Sequence, residues 1–174
     1  MALYRLRKTI ANTIICHRYP FLKHYSDSRK FFIRSCWFDA IEPGWRHIAL
    51  QMFEEIKRAM AIEQVSFRIL GIKEKDGSMC INYSAGGEDI HKIITKYEYI
   101  SFHTCVKCGR PAYGYTKGWV EPYCKKCMPK HTPVFEFGTE SDKWYDAYTY
   151  GKKGDQPVYF GKHWISDIDN PNDN

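Results

Sequence analysis

Apolar residues recur at the spacing of an amphipathic helix in two stretches of the chain. One stretch follows Pro43-Gly44 and the other follows Gly86-Gly87. The apolar positions are Trp45, Ile48, Ala49, Met52, Phe53, Ile56 and Met60 in the first stretch, and Ile90, Ile93, Ile94, Tyr97 and Ile100 in the second. Charged residues such as Glu54 and Lys57 fill the other positions. The pattern therefore predicts two helices that each bury one face.

Strict alternation of apolar and polar residues marks the segment between these two helices. The alternating apolar residues are Val65, Phe67 and Ile69 before a polar run, and Met79, Ile81 and Tyr83 after it. The polar run, from Lys73 to Ser78, contains Asp76-Gly77, which is a strong turn signal. The pattern predicts an antiparallel β-hairpin that packs one face onto the helices.

Both ends of the chain are rich in aromatic residues. Residues 1–35 are a basic aromatic arm, and a short helix is predicted before Pro20 because proline biases the preceding residue away from helix. Residues 133–174 are an aromatic extension with a tail that we expect to be frayed. The extension holds three strand-like runs, which begin at Val134, Trp144 and Val158.

Composition limits the class of protein. An aromatic content of 16% and balanced charges argue against a wholly disordered chain. No apolar run approaches the roughly 20 residues of a membrane-spanning helix. The basic N-terminus superficially resembles a secretory signal, but Asn12, Thr13 and Arg18 interrupt its apolar character. We therefore expect a folded cytoplasmic protein that binds no membrane.

Four of the seven cysteines form two Cys-x-x-Cys pairs, Cys105 with Cys108 and Cys124 with Cys127. Two residues between paired thiolates allow both sulfur atoms to face one ion, and Gly109 relieves crowding as the first pair turns. Four soft ligands suit one tetrahedral structural zinc ion. Iron or disulfide bonds are the alternatives.

Residues around the cysteines are expected to support the metal. Nearby lysines would offset the negative charge of four thiolates, and they are Lys107, Lys125 and Lys126. Three aromatic residues are candidates to cover the site, and they are Trp119, Tyr113 and Tyr123. His103 and His131 lie close in sequence and are alternative ligands. The isolated Cys16, Cys36 and Cys80 are interpreted as small buried apolar residues.

The complete pattern predicts an α+β fold in four segments. Two helices pack on a small antiparallel hairpin or sheet, and a four-cysteine zinc ribbon and an aromatic β-rich extension follow. The segments are the N-terminal arm 1–35, the helix-hairpin-helix core 36–104, the ribbon 105–132 and the extension 133–174. A site closed by four thiolates leaves no position for water or substrate, so we expect no enzymatic activity.

The net charge of +6 is unevenly distributed. Residues 1–35 contain eight lysines or arginines against Asp27, and residues 105–132 contain six against Glu121. Basic groups beside aromatic rings favour contact with nucleic acid, although a solvated surface is the plainer interpretation. The candidate nucleic-acid-binding residues are Arg5, Arg7, Lys8, Arg18, Lys23, Arg29, Lys30, Lys107, Lys125 and Lys126.

Several short motifs between residues 37 and 127 match one known family. They are Trp37-Phe38-Asp39, Pro43-Gly44-Trp45, the run from Ile72 to Ser78, Cys108-Gly109-Arg110-Pro111-Ala112, and Gly118-Trp119. On these motifs, over half of the chain resembles uncharacterised zinc-ribbon proteins of bacteriophages and prophages. The resemblance implies the order helix, hairpin, helix, zinc ribbon and the four cysteine ligands. It implies no activity, and residues 133–174 extend beyond the family pattern.

Three functions are consistent with these features. The first is a non-enzymatic zinc protein that binds nucleic acid or a nucleoprotein complex. The second is a phage factor for host takeover or counter-defence, which inhibits a host protein by direct binding through aromatic anchors. The third is a zinc-stabilised nuclease, which is disfavoured because no group of His, Asp and Glu has a recognisable catalytic spacing.

Overall fold

The structure is a computed structural model that describes residues 2–27 and 29–137. Within these ranges the chain forms three α-helices and five β-strands. The helices are α1 (Ala2–Arg18), α2 (Arg46–Glu63) and α3 (Glu88–Phe102), and the strands are β1 (Ile69–Lys75), β2 (Ser78–Tyr83), β3 (Gly114–Thr116), β4 (Pro122–Tyr123) and β5 (Val134–Glu136). The predicted mixture of helices and small antiparallel sheets is confirmed. The number of helices is three instead of two, because α1 runs for 17 residues where only a short helix was predicted.

The β1–β2 hairpin turns at Asp76-Gly77, as predicted. Both turn residues have positive φ, 50° and 81°, as a tight two-residue hairpin turn requires. Lys75 therefore pairs directly with Ser78, and β1 begins at Ile69 instead of Val65. The prediction treated Lys73 to Lys75 as part of the turn, but a two-residue turn keeps them in the strand.

Helix α3 covers the open edge of β2 with polar side chains. The backbone N–H of Met79 donates to Ser101 Oγ, and that of Ile81 donates to Glu98 Oε1, each over 2.8 Å. These bonds satisfy donors that an exposed strand edge would offer to another chain. Burial raises the pKa of Glu98 to about 7, although the bond from Ile81 partly opposes the shift.

Helix α1 is fixed to the body of the protein by buried polar groups. Asn12 Nδ2 donates to the carbonyl of Arg34 over 3.0 Å and to Asp39 over 2.9 Å, and Thr13 Oγ1 accepts from the backbone N–H of Ile33 over 3.0 Å. The opposite side of the helix exposes Leu3, Leu6, Ile10 and Ile14, named here the outer apolar face of α1.

One hydrophobic core extends from Cys16 to Cys124. Residues Met1–Phe135 form one compact unit, and Glu136–Asn174 are grouped as a second. The predicted segments 1–35, 36–104 and 105–132 thus contribute to a shared core. Of the predicted extension, β5 lies within the described residues, whereas the runs at Trp144 and Val158 and the frayed tail lie outside them. None of the helices in the described ranges is long and apolar enough to span a membrane.

The segment before α2 holds the first cysteine pair in place. The Gly44 N–H donates to the carbonyl of Val106 over 2.8 Å, and the indole N–H of the buried Trp45 donates to the carbonyl of Thr104 over 2.9 Å. A Cβ on Gly44 would lie 2.1 Å from the carbonyl oxygen of Cys105. Only glycine permits this close approach between two backbones.

We predict that Gly44→Ala lowers the free energy of unfolding by about 1–3 kcal/mol, because its methyl group collides with backbone that cannot rotate away. Urea denaturation of the metal-loaded protein measures this change. Gly71→Ala is the control, since its Cβ would lie at an ordinary 3.5 Å from Asn82. Equal effects of the two substitutions would contradict the proposed close contact.

Candidate metal centre

Each cysteine pair is shaped by local backbone hydrogen bonds. In the first pair, the Gly109 N–H donates to the carbonyl of Cys105 over 2.9 Å, and Gly109 has a φ of 75°, which favours glycine. In the second pair, the N–H groups of Cys127 and Met128 both donate to the carbonyl of Cys124 over 3.0 Å. Both pairs therefore form tight turns of the type that directs two sulfur atoms to one point.

The β3–β4 hairpin brings the two pairs together. Gly114 pairs with Tyr123 and Tyr115 with Pro122 in antiparallel register. The Val106 N–H also donates to the carbonyl of Pro122 over 3.0 Å, which ties the first pair to the strand that leads into the second. Strand β5 extends this sheet on the other side of β3.

The four cysteine sulfur atoms lie within 4.8 Å of one another. Cys108 Sγ and Cys124 Sγ are 3.6 Å apart, much longer than the roughly 2.05 Å of a disulfide bond. A tetrahedral ion with Zn–S bonds of about 2.3 Å places its ligands about 3.8 Å apart. The donor set and its spacing therefore fit a four-thiolate metal ion. Within residues 2–27 and 29–137, this is the one group of three or more potential ligands, and it includes neither His103 nor His131.

The thiol of Cys108 ionises more readily than an ordinary cysteine. Its pKa is lowered to about 6, first by the hydrogen bond from the backbone N–H of Arg110 and then by the thiols of Cys105, Cys124 and Cys127. The hydrogen bond with Cys108 raises the pKa of Cys127. Without an ion, hydrogen bonds among the sulfur atoms stabilise the negative charge of a thiolate. A bound metal ion would stabilise that charge instead.

The charged group that contacts sulfur is an arginine that the sequence analysis did not select. The Arg110 side chain donates to Cys108, and this bond raises the pKa of Arg110. Among the predicted lysines, Lys107 Nζ lies 5.3 Å from the Tyr123 ring centre and Lys125 Nζ lies 4.4 Å from the Tyr113 ring centre. An arginine directly after a Cys-x-x-Cys-Gly turn is the signal that could have identified this contact.

The predicted cover of the site is correct only in part. Tyr123 is buried and Tyr113 is half-buried, but the side chain of Trp119 is 74% exposed. The residues that lie against the first cysteine turn are instead just before α2 and in its first turn. Gly44 contacts the backbone of Cys105, and the ring of His47 lies within 2.8 Å of the point where a Gly109 Cβ would be. Neither contact was predicted from the sequence.

The remaining cysteines lie outside the metal cluster. Cys16 and Cys36 are both buried, and Cys80 is half-buried. A hydrogen bond between the side chains of Cys16 and Cys36 raises the pKa of Cys16 and lowers that of Cys36. The sequence analysis treated these two residues as isolated, because 20 positions separate them along the chain.

The predicted nucleic-acid-binding residues differ in their availability. In the N-terminal region, Lys8 pairs with Asp39, Arg18 pairs with Glu54 and Lys30 pairs with Asp27. Lys23 is half-buried. Arg5, Arg7 and Arg29 are exposed and form no salt bridge within the described residues, and the paired Arg18 and Lys30 are exposed as well. In the cysteine-rich segment, every basic side chain is exposed, and these are Lys107, Arg110, Lys117, Lys125, Lys126 and Lys130, named here the ribbon cations.

The chain was compared with protein-family models, with curated proteins and with solved structures, and none of the three comparisons gave a match. The four-sulfur cluster and its surface are therefore interpreted from their own geometry.

Proposed function

We propose that the chain is a non-enzymatic, zinc-stabilised protein that binds nucleic acid through the ribbon cations. One observation carries this proposal. All six cations of the cysteine-rich segment are exposed, and no carboxylate in the described part of the chain forms a salt bridge with any of them. Exposed cations without a carboxylate partner can exchange bound water and counterions for phosphate.

The local charge stays positive when the metal is included. Four thiolates around one Zn²⁺ carry two net negative charges, and Glu121 is the one carboxylate of residues 105–132. That carboxylate already accepts a hydrogen bond from the Tyr123 hydroxyl over 2.6 Å. The ribbon cations outnumber these negative charges, so the surface attracts phosphate.

The proposed role of zinc is structural. Four thiolates complete a tetrahedron, so the ion has no free position for a water molecule, and the nuclease alternative gains no support from this site. The ion would connect two turns that are otherwise joined by strands of three and two residues. We further propose a cytoplasmic location, because reduced thiols persist there.

We predict that the purified, reduced protein contains one zinc ion per chain. Cys124→Ser should lose most of the metal and melt the ribbon, because a serine hydroxyl is a poor zinc ligand beside three thiolates. Elemental analysis measures the metal content. Cys80→Ser is the matched control and should keep the full zinc content, since Cys80 lies outside the cluster. Equal metal loss in both variants would reject the ligand assignment.

We also predict that nucleic-acid binding depends on Lys107, Lys125 and Lys126. Replacing all three with alanine should reduce the slope of log K against log salt by about 2, since each phosphate contact to a single strand contributes about 0.7. Fluorescence anisotropy at several salt concentrations measures the slope, and zinc analysis verifies that the variant remains loaded.

The matched control replaces Lys8, Arg18 and Lys30, which removes the same charge from residues already paired with carboxylates. This variant should keep most of the salt dependence of the wild type. A larger loss in the control than in the ribbon variant would place the nucleic-acid contact in the N-terminal region and overturn the proposal.

The second candidate function, a phage-type factor that inhibits a host protein, is favoured by the outer apolar face of α1. Its four aliphatic side chains are each about half exposed or more, and Phe31 and Phe32 nearby are also exposed. Phe31 lies 5.0 Å from the His17 ring at the end of this helix, so the patch continues beyond α1. A continuous exposed apolar patch marks protein-binding surfaces more often than nucleic-acid-binding ones. Because residues 2–26 contain no acidic residue, charge complementarity favours an acidic partner.

For this second function we predict that Ile10→Asp combined with Ile14→Asp weakens capture of a protein from a bacterial extract at least tenfold, since both residues would be central contacts. A quantitative pull-down, with equal amounts of wild type and variant as bait, measures how much protein is retained. Ile62→Asp is the control, because Ile62 is an even more exposed isoleucine but lies on α2. Undiminished capture by the double variant would exclude α1 as the binding surface.

A further inference from the structure

We infer that the ribbon surface binds single-stranded nucleic acid in preference to duplex, with Trp119 as the side chain on which a base stacks. This inference rests on the proposed function and adds the form of the nucleic acid. Among the tryptophans that the structure describes, Trp45 is buried and Trp37 is half-buried, whereas Trp119 is 74% exposed. A large indole ring left in water, next to exposed cations, has the chemistry of a base-stacking platform.

Trp119 lies in a turn that internal hydrogen bonds stabilise. Thr116 Oγ1 donates to the carbonyl of Trp119 over 2.5 Å and accepts from the backbone N–H of Glu121 over 3.0 Å. The Thr116 N–H also donates to the carbonyl of Glu121 over 3.1 Å. Gly118 adopts a φ of 85° with open space around it. The backbone on both sides of Trp119 is therefore held by internal bonds, and the indole is free for an external partner.

Cations lie on both sides of this turn along the chain. Lys117 precedes Trp119 by two residues, and its Nζ lies 4.2 Å from the centre of the Phe135 ring. Lys125 follows β4 and lies against the ring of Tyr113. Both lysines rest on aromatic rings and remain exposed, so each is available for contact with a phosphate.

Base stacking on Trp119 disfavours duplex. The faces of paired bases are covered by their neighbours, so an indole can stack only on an unpaired or terminal base.

The test compares zinc-loaded wild type, Trp119→Ala and Trp119→Phe by fluorescence anisotropy. The probes are a labelled 12-nucleotide DNA strand, the RNA strand of the same sequence and the matching DNA duplex. Wild type should bind the single strands more tightly than the duplex. Trp119→Ala should weaken single-strand binding about 5- to 100-fold without changing duplex binding or the salt slope, and Trp119→Phe should restore most of the affinity.

Two outcomes overturn the inference and are distinguishable. Salt-dependent binding that Trp119→Ala leaves unchanged, or weakens equally for strand and duplex, removes the stacking role and leaves the proposed function standing. No binding of any probe by zinc-loaded wild type rejects the proposed function and this inference together.

Discussion

The structure depends on holding four sulfur atoms within the reach of one ion. Fifteen residues separate Cys108 from Cys124. The chain reverses direction between them through β3 and β4, which are only three and two residues long. A hairpin this short is marginal in water by itself. The protein therefore supports it from outside: Gly44 and Trp45 bind the backbone of residues 104–106. Gly77, in the β1–β2 turn, approaches Val120 beside the ribbon tip. Two of the four cysteines, Cys105 and Cys124, are thus buried in the protein core, while Cys108 stays exposed.

Some backbone groups have no hydrogen-bond partner within a helix or sheet, and buried side chains serve as their partners. Asn12 and Thr13 serve the irregular segment after α1, while Glu98 and Ser101 serve the edge of β2. An unpaired buried N–H or carbonyl group costs about 1–3 kcal/mol, so these few contacts decide whether the irregular segment can lie against the core.

Elements that follow from a local sequence pattern were predictable from the sequence. Contacts between residues far apart along the chain were not. Helices α2 and α3 and the Asp76-Gly77 turn follow from spacing alone, and the Cys-x-x-Cys pairs identified the sulfur cluster. Asn12 and Thr13, in contrast, were interpreted only as polar interruptions, because their partners lie 20 or more positions away. The exposure of Trp119 was missed for a different reason, since the contacts that hold its turn are local. Aromatic content predicts burial, but a turn braced by Thr116 keeps this ring outside.

Contacts between distant residues also decide which basic side chains of this protein can bind an anion. The N-terminal region contains more basic residues than the cysteine-rich segment, so a count of charges favours it. The folded chain supplies Asp39, Glu54 and Asp27 as partners to three of them, and a paired cation must lose its carboxylate before it can hold phosphate. The ribbon cations face no such cost from a carboxylate within the described residues, since none of the salt bridges there includes them. Availability therefore favours the ribbon for phosphate, and leaves the outer face of α1 as a surface for apolar contacts.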